Sequence, residues 1–109
     1  MTTNEYNPVR EGYHYVYVLL SIKSGKWYTG FTNNLRKRFD EHQNNLSRYT
    51  KNKGPFRLIY FEACLNKYDA IAREKYLKTG MGKRYIKNRI KRFLSLTGYN
   101  EGSAVRFGP

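Results

Sequence analysis

A tyrosine, an arginine and a histidine lie close together in one stretch of this sequence and are its first candidates for chemistry. Tyr28 lies in an aromatic and β-branched run typical of a strand. Leu35 and Phe39, four residues apart, predict a helix after it, and Arg38 and His42 share an adjoining face of that helix. Arginine has a fixed fork of donors suited to phosphate oxygens, and histidine can relay a proton near neutral pH. These side chains predict a phosphodiester site.

Glu74 is the next candidate, because it is an isolated acid in a strongly basic part of the chain. From Arg73 to Arg92 the sequence has nine Lys or Arg and no other acid. Glu74 also lies in the apolar register of its predicted helix, three residues after Ile71 and three before Leu77. A carboxylate is a hard oxygen donor that suits Mg²⁺ or Mn²⁺, held together with phosphate and water. The alternative is a salt bridge to a basic neighbour.

The overall charge points to a polyanionic partner. The 109 residues include 21 Lys or Arg and 8 Asp or Glu, which gives a formal charge of +13 and a pI near 10.0. Nucleic acid is the first candidate and an anionic membrane surface is the rival. The longest apolar run, from Tyr15 to Leu20, has the length of a strand and is far too short to span a membrane. We therefore predict nucleic acid, DNA first, and no membrane association.

Cysteine and histidine are too few for an internal disulfide or a zinc finger. Cys64 is the only cysteine, and His14 and His42 are the only histidines. The first residues, Met1 to Gly12, are polar and show no apolar signal-peptide core. These features predict a cytoplasmic protein, and the length suits a single domain.

Three strands are predicted, and the first connection decides which tyrosines can meet. The strand patterns cover residues 13–21, 27–31 and 56–63, the last with simple alternation of its two faces. Gly25 is expected to supply a positive φ in a tight turn after the first strand. If Ser24 and Gly25 form a two-residue loop, odd positions before it share a face with even positions after it. Tyr17 and Tyr28 then lie on the same face.

Three helices are predicted around these strands. They cover residues 33–44, 68–78 and 83–97, and the expected start signals are Thr32 or Asn33, Asn66 and Gly82. The last helix carries its apolar stripe through Ile86 and Ile90 and ends before Gly98. Residues 1–12 are predicted to be a flexible lead-in, 13–96 the single domain and 97–109 a loosely ordered tail.

The candidate residues resemble the signature of the GIY-YIG nuclease superfamily. Tyr15-Val16-Tyr17 stands where the family has Gly-Ile-Tyr, and Tyr28-Thr29-Gly30 stands where it has Tyr-Ile-Gly. The spacing to Arg38 and His42, and Glu74 on a later helix, are also similar to the family's pattern. The chain looks most like small stand-alone bacterial members, akin to the N-terminal catalytic module of the bacterial excinuclease.

The resemblance implies an α/β fold in which a three-stranded antiparallel sheet is flanked by helices. It implies a divalent-metal-dependent endonuclease that hydrolyses phosphodiester bonds, structure-selective and in a repair or recombination context. Two other functions stay open, namely a non-catalytic nucleic-acid-binding module and a basic accessory protein of a ribonucleoprotein. Because no appended recognition domain is evident, a separate protein partner for targeting is compatible with the sequence.

The resemblance also implies a role for each candidate. Glu74 would bind Mg²⁺ or Mn²⁺, Arg38 would stabilise charge in the transition state, and His42 would support proton movement. One of Tyr17 and Tyr28, with Tyr28 favoured, would help deprotonate the attacking water while the other orients it. An ordinary phenol pKa of about 10 makes a poor base, so neighbouring cations and the metal are expected to lower it. The expected nucleic-acid contacts are Lys37, Arg84, Lys87, Asn88 and Arg89.

Overall fold

A three-stranded antiparallel sheet organises the fold, in a computed structural model that describes residues 12–98. The elements in chain order are β1 (His14–Ser21), β2 (Trp27–Thr32), α1 (Leu35–Gln43), β3 (Phe56–Cys64), α2 (Lys67–Leu77), α3 (Gly80–Arg89) and α4 (Lys91–Thr97). The strand order is β2-β1-β3, so β1 is central and β2 is an edge. The predicted fold class is confirmed. Apart from Gly12, Thr97 and Gly98, the expected lead-in and tail lie outside the described residues.

The connection between β1 and β2 is longer than the two-residue loop considered from the sequence. Tyr17 pairs with Gly30, and the Ser21 N–H donates to the Lys26 carbonyl at 2.8 Å, so the loop closed by this last pair has four residues, 22–25. Gly25 in this loop has a φ of +77°, as predicted. Because both loop lengths are even, the register moves by two residues and every side chain keeps its expected face.

Alternate residues of β1 face two separate apolar clusters. The cluster on the side of α2, α3 and α4 contains Val16, Val18, Leu20, Trp27, Ala70, Leu77, Ile86 and Leu94. The cluster on the side of α1 contains Tyr17, Leu19 and Phe56, with Tyr28, Leu35, Phe39 and Leu58 packed against it. Each fully buried Val or Leu contributes about 1.5–3 kcal/mol to stability. Tyr17 and Tyr28 therefore share the α1 face, and both faces of the central strand are covered.

A β-bulge in β3 changes the faces of its side chains partway along the strand. Val18 pairs with Tyr60 while Leu19 pairs with Leu58, which leaves Ile59 as the extra residue. Leu58, before the bulge, therefore faces α1, whereas Tyr60, two residues later, faces the opposite side of the sheet. The simple alternation predicted for this strand is wrong for that reason.

Helix α1 begins later than predicted. Its N-cap is Asn34, whose side chain accepts a hydrogen bond from the Lys37 N–H at 3.1 Å. Thr32 stabilises the turn that precedes this cap, because its Oγ1 accepts a hydrogen bond from the Asn34 N–H at 3.1 Å. The predicted cap at Thr32 or Asn33 is therefore wrong, and Leu35 is the first helical residue.

The predicted last helix is in fact two helices, and it starts before Gly82. Thr79 caps α3, because its side chain accepts a hydrogen bond from the Gly82 N–H at 3.1 Å. Ile90, with φ −114° and ψ 31°, departs from helical geometry and separates α3 from α4. A Cβ at Gly82 would lie 2.5 Å from the Leu77 Cα. Gly82, the expected start signal, instead lies in the first turn of α3, where the lack of a Cβ lets this helix pack tightly on the end of α2.

Candidate active site

A buried chain of hydrogen bonds runs from Tyr17 through His42 to Thr50. The Tyr17 hydroxyl lies 2.8 Å from His42 Nε2, and His42 Nδ1 lies 2.6 Å from Thr50 Oγ1. All three residues are buried, with 3%, 1% and 0% exposure respectively. Because both ring nitrogens have oxygen partners, the orientation of the imidazole is set by the protein.

His42 is neutral at physiological pH. Burial lowers the pKa of His42 to about 4, and the Arg38 guanidinium acts in the same direction while Glu41 opposes it. A neutral imidazole has one donor nitrogen and one acceptor nitrogen. With the proton on Nδ1, the Nδ1–H donates a hydrogen bond to Thr50 Oγ1. In this arrangement the Tyr17 hydroxyl donates its hydrogen bond to His42 Nε2.

The low pKa of His42 also makes stability depend on pH. Between its unfolded value of 6.5 and about 4 in the fold, the unfolded chain binds a proton that the folded chain excludes. The neutral His42 therefore contributes on the order of 2–3 kcal/mol to the free energy of unfolding above this window, and this contribution is lost as the pH falls through it. Urea unfolding across the window measures this loss. A His42→Gln variant should show a shallower pH dependence, and equal slopes for the two proteins would contradict the assignment.

Arg38 is held beside Tyr17 by two polar partners. Its Nη1 donates to Glu41 Oε1 at 2.8 Å, and its Nη2 donates to Ser47 Oγ at 3.3 Å. Lys37 Nζ lies 3.7 Å from the other Glu41 oxygen and is 72% exposed, so it faces solvent next to the site. Glu41 is three residues after Arg38 on α1, a spacing that could have found it, whereas Ser47 lies in the irregular segment after the helix and has no spacing signal.

Burial dominates the pKa of both candidate tyrosines and raises it. For Tyr17 the Arg38 guanidinium acts in the predicted, lowering direction, but the loss of hydration outweighs it. For Tyr28 burial raises the pKa and Tyr49 adds to the effect. In the metal-free protein the lowering expected from neighbouring cations is therefore outweighed by burial, and the lowering expected from the metal stays a prediction. Each phenol keeps its proton at neutral pH unless an acceptor takes it.

Gly30 determines the path of the Tyr17 side chain. These two residues pair across β1 and β2 on one face of the sheet. A Cβ at Gly30 would lie 2.5 Å from the Tyr17 hydroxyl oxygen and 2.7 Å from Cζ. The end of the Tyr17 ring therefore lies over the glycine, toward the edge strand β2. This contact explains why a glycine follows Tyr28 and Thr29 at this position.

Glu74 lies on the other side of the sheet from Tyr17 and Tyr28. Its helix α2 packs on the face that carries Val16 and Val18, opposite to Tyr17 and Tyr28. Even so, the negative charge of Glu74 contributes to the raised pKa of Tyr17. Glu74 therefore acts on this hydroxyl as a charge across the sheet.

Lys78 and Tyr49 connect Glu74 to Tyr28 around the edge strand. Lys78 Nζ lies 3.2 Å from Glu74 Oε2 and 5.7 Å from the centroid of the Tyr49 ring. The Tyr49 ring in turn packs edge-on against Tyr28, with centroids 5.5 Å apart. Neither Lys78 nor Tyr49 was singled out in the sequence. The i+4 spacing of Lys78 from Glu74 is a signal that could have found it.

The predicted nucleic-acid-binding residues lie in two places. Lys37 lies beside Arg38 on α1. The other four are Arg84, Lys87, Asn88 and Arg89 on α3, of which Lys87 is half-buried and the rest are exposed. Because α3 packs against α2 on the face opposite to Tyr17, these four residues form a separate surface.

Comparison with known proteins places this arrangement in a family. The sequence model of the GIY-YIG catalytic domain matches residues 13–89. The chain belongs to the GIY-YIG family. A UPF0213 protein of Clostridium perfringens is 47% identical over 60% of this chain and 70% of its own length. A UPF0213 protein of Oceanobacillus iheyensis is 38% identical over 60% of this chain and 76% of its own length.

A solved structure is also similar to this GIY-YIG chain. It is the solution NMR structure of a UPF0213 protein from Bacillus halodurans, which is 33% identical and covers 79% of this chain and 86% of its own. The TM-score is 0.40. The predicted resemblance to the GIY-YIG superfamily is confirmed by the family match.

The donor set of this GIY-YIG site fits a hard divalent cation held mainly by substrate and water. Within residues 12–98 no three His, Cys, Asp or Glu side chains form a group able to hold a metal ion. Glu74 offers one carboxylate, 19% exposed, whose charge acts on the Tyr17 hydroxyl. Mg²⁺ is commonly bound by one carboxylate with phosphate oxygens and water.

Within residues 12–98, no helix is long and apolar enough to cross a bilayer.

Proposed function

We propose that this GIY-YIG protein is a divalent-metal-dependent endonuclease that hydrolyses phosphodiester bonds of DNA. The observation that supports this most is the convergence of three side chains on the Tyr17 hydroxyl. His42 is hydrogen-bonded to it, and the charges of Arg38 and Glu74 both act on it, although they lie on opposite sides of the sheet. A proton acceptor, a cation and an acid around one hydroxyl are the groups that hydrolysis of a phosphodiester requires.

In the proposed reaction Tyr17 receives the proton of the attacking water and passes its own proton to His42 Nε2. The water oxygen bonds to phosphorus, the P–O3′ bond breaks, and the leaving 3′ oxygen takes up a proton from solvent, which leaves a 5′-phosphate and a 3′-hydroxyl. Because the raised pKa of Tyr17 disfavours a free phenolate, Tyr17 acts as a relay that takes the water proton in the same step in which it passes its own proton to the imidazole. Since burial lowers the pKa of His42 to about 4, the imidazole holds this proton only transiently. Thr50 holds the imidazole in place.

In this mechanism Tyr17 is the base, whereas the sequence favoured Tyr28 for that role. Tyr17 has a hydrogen-bonded proton acceptor, whereas the ring of Tyr28 packs against Tyr49 and Phe56. Tyr28 is half-buried at the edge strand, where it would orient the water or the substrate. The Arg38 guanidinium would donate to phosphate oxygens as charge develops on them.

Glu74 would hold Mg²⁺ or Mn²⁺, which when bound supplies positive charge at the scissile phosphate. In the metal-free protein the Lys78 ammonium partly neutralises this carboxylate. The basic residues of α3 would extend the backbone contacts away from the site. We also propose that the protein acts in DNA repair or recombination, that a protein partner directs it to its target, and that it is cytoplasmic.

A cleavage assay tests the proposal directly. Supercoiled plasmid and labelled duplexes with nicks, flaps, forks and single strands are incubated with the protein in Mg²⁺, in Mn²⁺ and in a chelator. We expect nicking that requires the divalent ion and leaves 5′-phosphate ends. Binding of these substrates without cleavage in either metal would contradict the nuclease proposal and favour the non-catalytic binding module. Cleavage of RNA alone would correct the substrate.

A further inference from the structure

A small cavity beside Tyr28, the lysine pocket, is lined by three lysines. Its volume is about 220 Å³. Lys23 and Lys26 lie between β1 and β2, and Lys53 lies in the segment that precedes β3. The other lining residues carry no charge at neutral pH, and they are Ser21, Ser24, Tyr28 and Asn52. The lysine pocket is therefore a concentration of positive charge next to a residue of the candidate site.

The three lysines form no ion pair within residues 12–98. All of them are exposed, and no glutamate or aspartate of the described chain lies within ion-pair distance of their ammonium groups. None of the residues that line the pocket is acidic. By contrast, Lys37 and Lys78 are each paired with a glutamate. The counter-charge for the lysine pocket must therefore come from outside the described chain.

Tertiary structure brings these like charges together, because two stretches far apart in the sequence are tied to each other. Ser21 is fully buried, and its hydroxyl donates to the Lys53 carbonyl at 2.8 Å and accepts from the Ser24 N–H at 3.1 Å. The Ile22 N–H donates to the Pro55 carbonyl at 2.9 Å. Clustering of like charges costs free energy, and a bound anion offsets this cost. The backbone that carries the lysines is thus built before any anion binds.

A phosphate group suits the donors of the lysine pocket. Lysine binds phosphate as a point charge, and charge-assisted hydrogen bonds to phosphate oxygens are strong ones. The Ser24 hydroxyl and the Asn52 amide offer neutral hydrogen-bond donors in the same cavity. The net charge of +13 favours a molecule in which phosphates repeat, as they do along a nucleic-acid backbone.

The lysine pocket lies within reach of a strand bound at the candidate site. Ser21 is four residues after Tyr17 on the same face of β1, a separation of about 13 Å along a strand. A DNA duplex rises about 3.4 Å per nucleotide of each strand, so this separation corresponds to a few nucleotides. Tyr28, which pairs with Leu19 across β1 and β2, lies between the two places and lines the pocket.

We propose that the lysine pocket binds a backbone phosphate of the DNA substrate a few nucleotides from the scissile phosphate. The substrate then runs from Tyr17 past Tyr28 toward the connection between β1 and β2, and not over the basic surface of α3 on the opposite face of the sheet. The inference deepens the proposed function and rests on it for the identity of the phosphate-bearing molecule. Binding of this phosphate requires neither metal nor cleavage.

A lysine footprint of the parent protein tests the pocket without metal. The protein is acetylated with an amine-reactive reagent in a chelator, alone or with a DNA duplex, and each lysine is followed by mass spectrometry. We expect the duplex to slow acetylation of Lys23, Lys26 and Lys53 several-fold. Lys67 and Lys75, two exposed lysines of α2, should react equally fast with and without the duplex.

Inorganic phosphate, at the same total phosphate concentration as the duplex, is the second probe in this footprint. It should protect the three pocket lysines much less than the duplex does, because it has no neighbouring contacts to hold it there. Equal or stronger protection by inorganic phosphate would assign the lysine pocket to free phosphate and would overturn the assignment to a nucleic-acid backbone.

A charge-removing triple variant measures what the pocket contributes to affinity. Lys23→Gln, Lys26→Gln and Lys53→Gln together should weaken duplex binding by about tenfold at low salt and should reduce the slope of log affinity against log salt by at least about 0.9, the value for one phosphate. The matched arginine variant, with Lys23→Arg, Lys26→Arg and Lys53→Arg, keeps the charge and should bind as the parent protein does.

A second triple variant controls for net charge. Lys67→Gln, Lys75→Gln and Lys91→Gln remove the same charge from exposed lysines outside the pocket and should change affinity and salt slope much less. Equal losses in the two glutamine variants would mean that only net charge matters, and they would overturn the proposal. Unprotected pocket lysines in the duplex complex would overturn it as well.

The footprint and the cleavage assay separate the two proposals. A protein whose pocket lysines are protected by the duplex but which cuts nothing in Mg²⁺ or Mn²⁺ would refute the nuclease proposal alone. A protein that cuts the duplex while its pocket lysines stay open to acetylation would refute the lysine pocket alone.

Discussion

A Glu74→Gln variant is expected to lose phosphodiester cleavage by about 100-fold or more while still binding DNA. The substitution keeps size and helix propensity but removes the charge that would hold the divalent ion and its effect on the scissile phosphate. DNA binding without metal should persist or tighten, because a negative charge leaves a basic surface. Nicking rate in Mg²⁺ and affinity in a chelator, measured on the same substrate, test both statements.

Lys78→Met is the matched control for this experiment. It breaks the same ion pair with Glu74, and it leaves the carboxylate in place. The pair is half-exposed on the lysine side, so losing it should cost no more than about 1 kcal/mol in either variant. If Lys78→Met abolishes cleavage as fully as Glu74→Gln, the ion pair and not the carboxylate is what matters. A Glu74→Gln protein that cuts at the parent rate would refute the mechanism.

A Tyr17→Phe variant is expected to slow cleavage by about 100-fold to 10,000-fold, the usual contribution of general acid–base catalysis. The ring remains, so packing against Leu19 and Phe56 should persist. The loss of the hydroxyl leaves the buried His42 Nε2 without its partner, which should lower the free energy of unfolding by about 1–3 kcal/mol. Single-turnover cleavage beside urea unfolding separates the two effects.

Tyr28→Phe is the comparison that decides which tyrosine is the base. It removes a hydroxyl at the edge strand, with no effect on the Tyr17–His42 hydrogen bond. We expect a smaller loss of cleavage than in Tyr17→Phe, because Tyr28 only orients water or substrate in the proposed reaction. The opposite ranking, with Tyr17→Phe nearly as active as the parent, would return the role of base to Tyr28.

Local patterns in the sequence were sufficient for the family and the fold class. The two tyrosine-containing triplets, the spacing of Arg38 and His42 and the lone acid Glu74 identified the GIY-YIG family, which the family match confirms. Alternation placed Tyr17 and Tyr28 on one face even though the loop length was wrong, because parity is unchanged by an even shift. These signals are periodic or are fixed in spacing, so a single sequence carries them.

Tertiary structure alone decided what the candidates touch. Thr50, Ser47 and Tyr49 come from the irregular segment between α1 and β3, where no period relates a residue to its neighbours in space. The bulge in β3 and the break at Ile90 also have no periodic signal.

The effect of burial on the charge state of the site is also decided by tertiary structure. Neighbouring cations in the sequence suggested phenols with a lowered pKa, whereas burial raises the pKa of Tyr17 and lowers that of His42 to about 4. Desolvation depends on how much protein surrounds a group in three dimensions, and residues distant in sequence provide most of it. The sequence therefore determined which side chains form the candidate site, and the packing of the sheet against α1 decided which of them holds the proton.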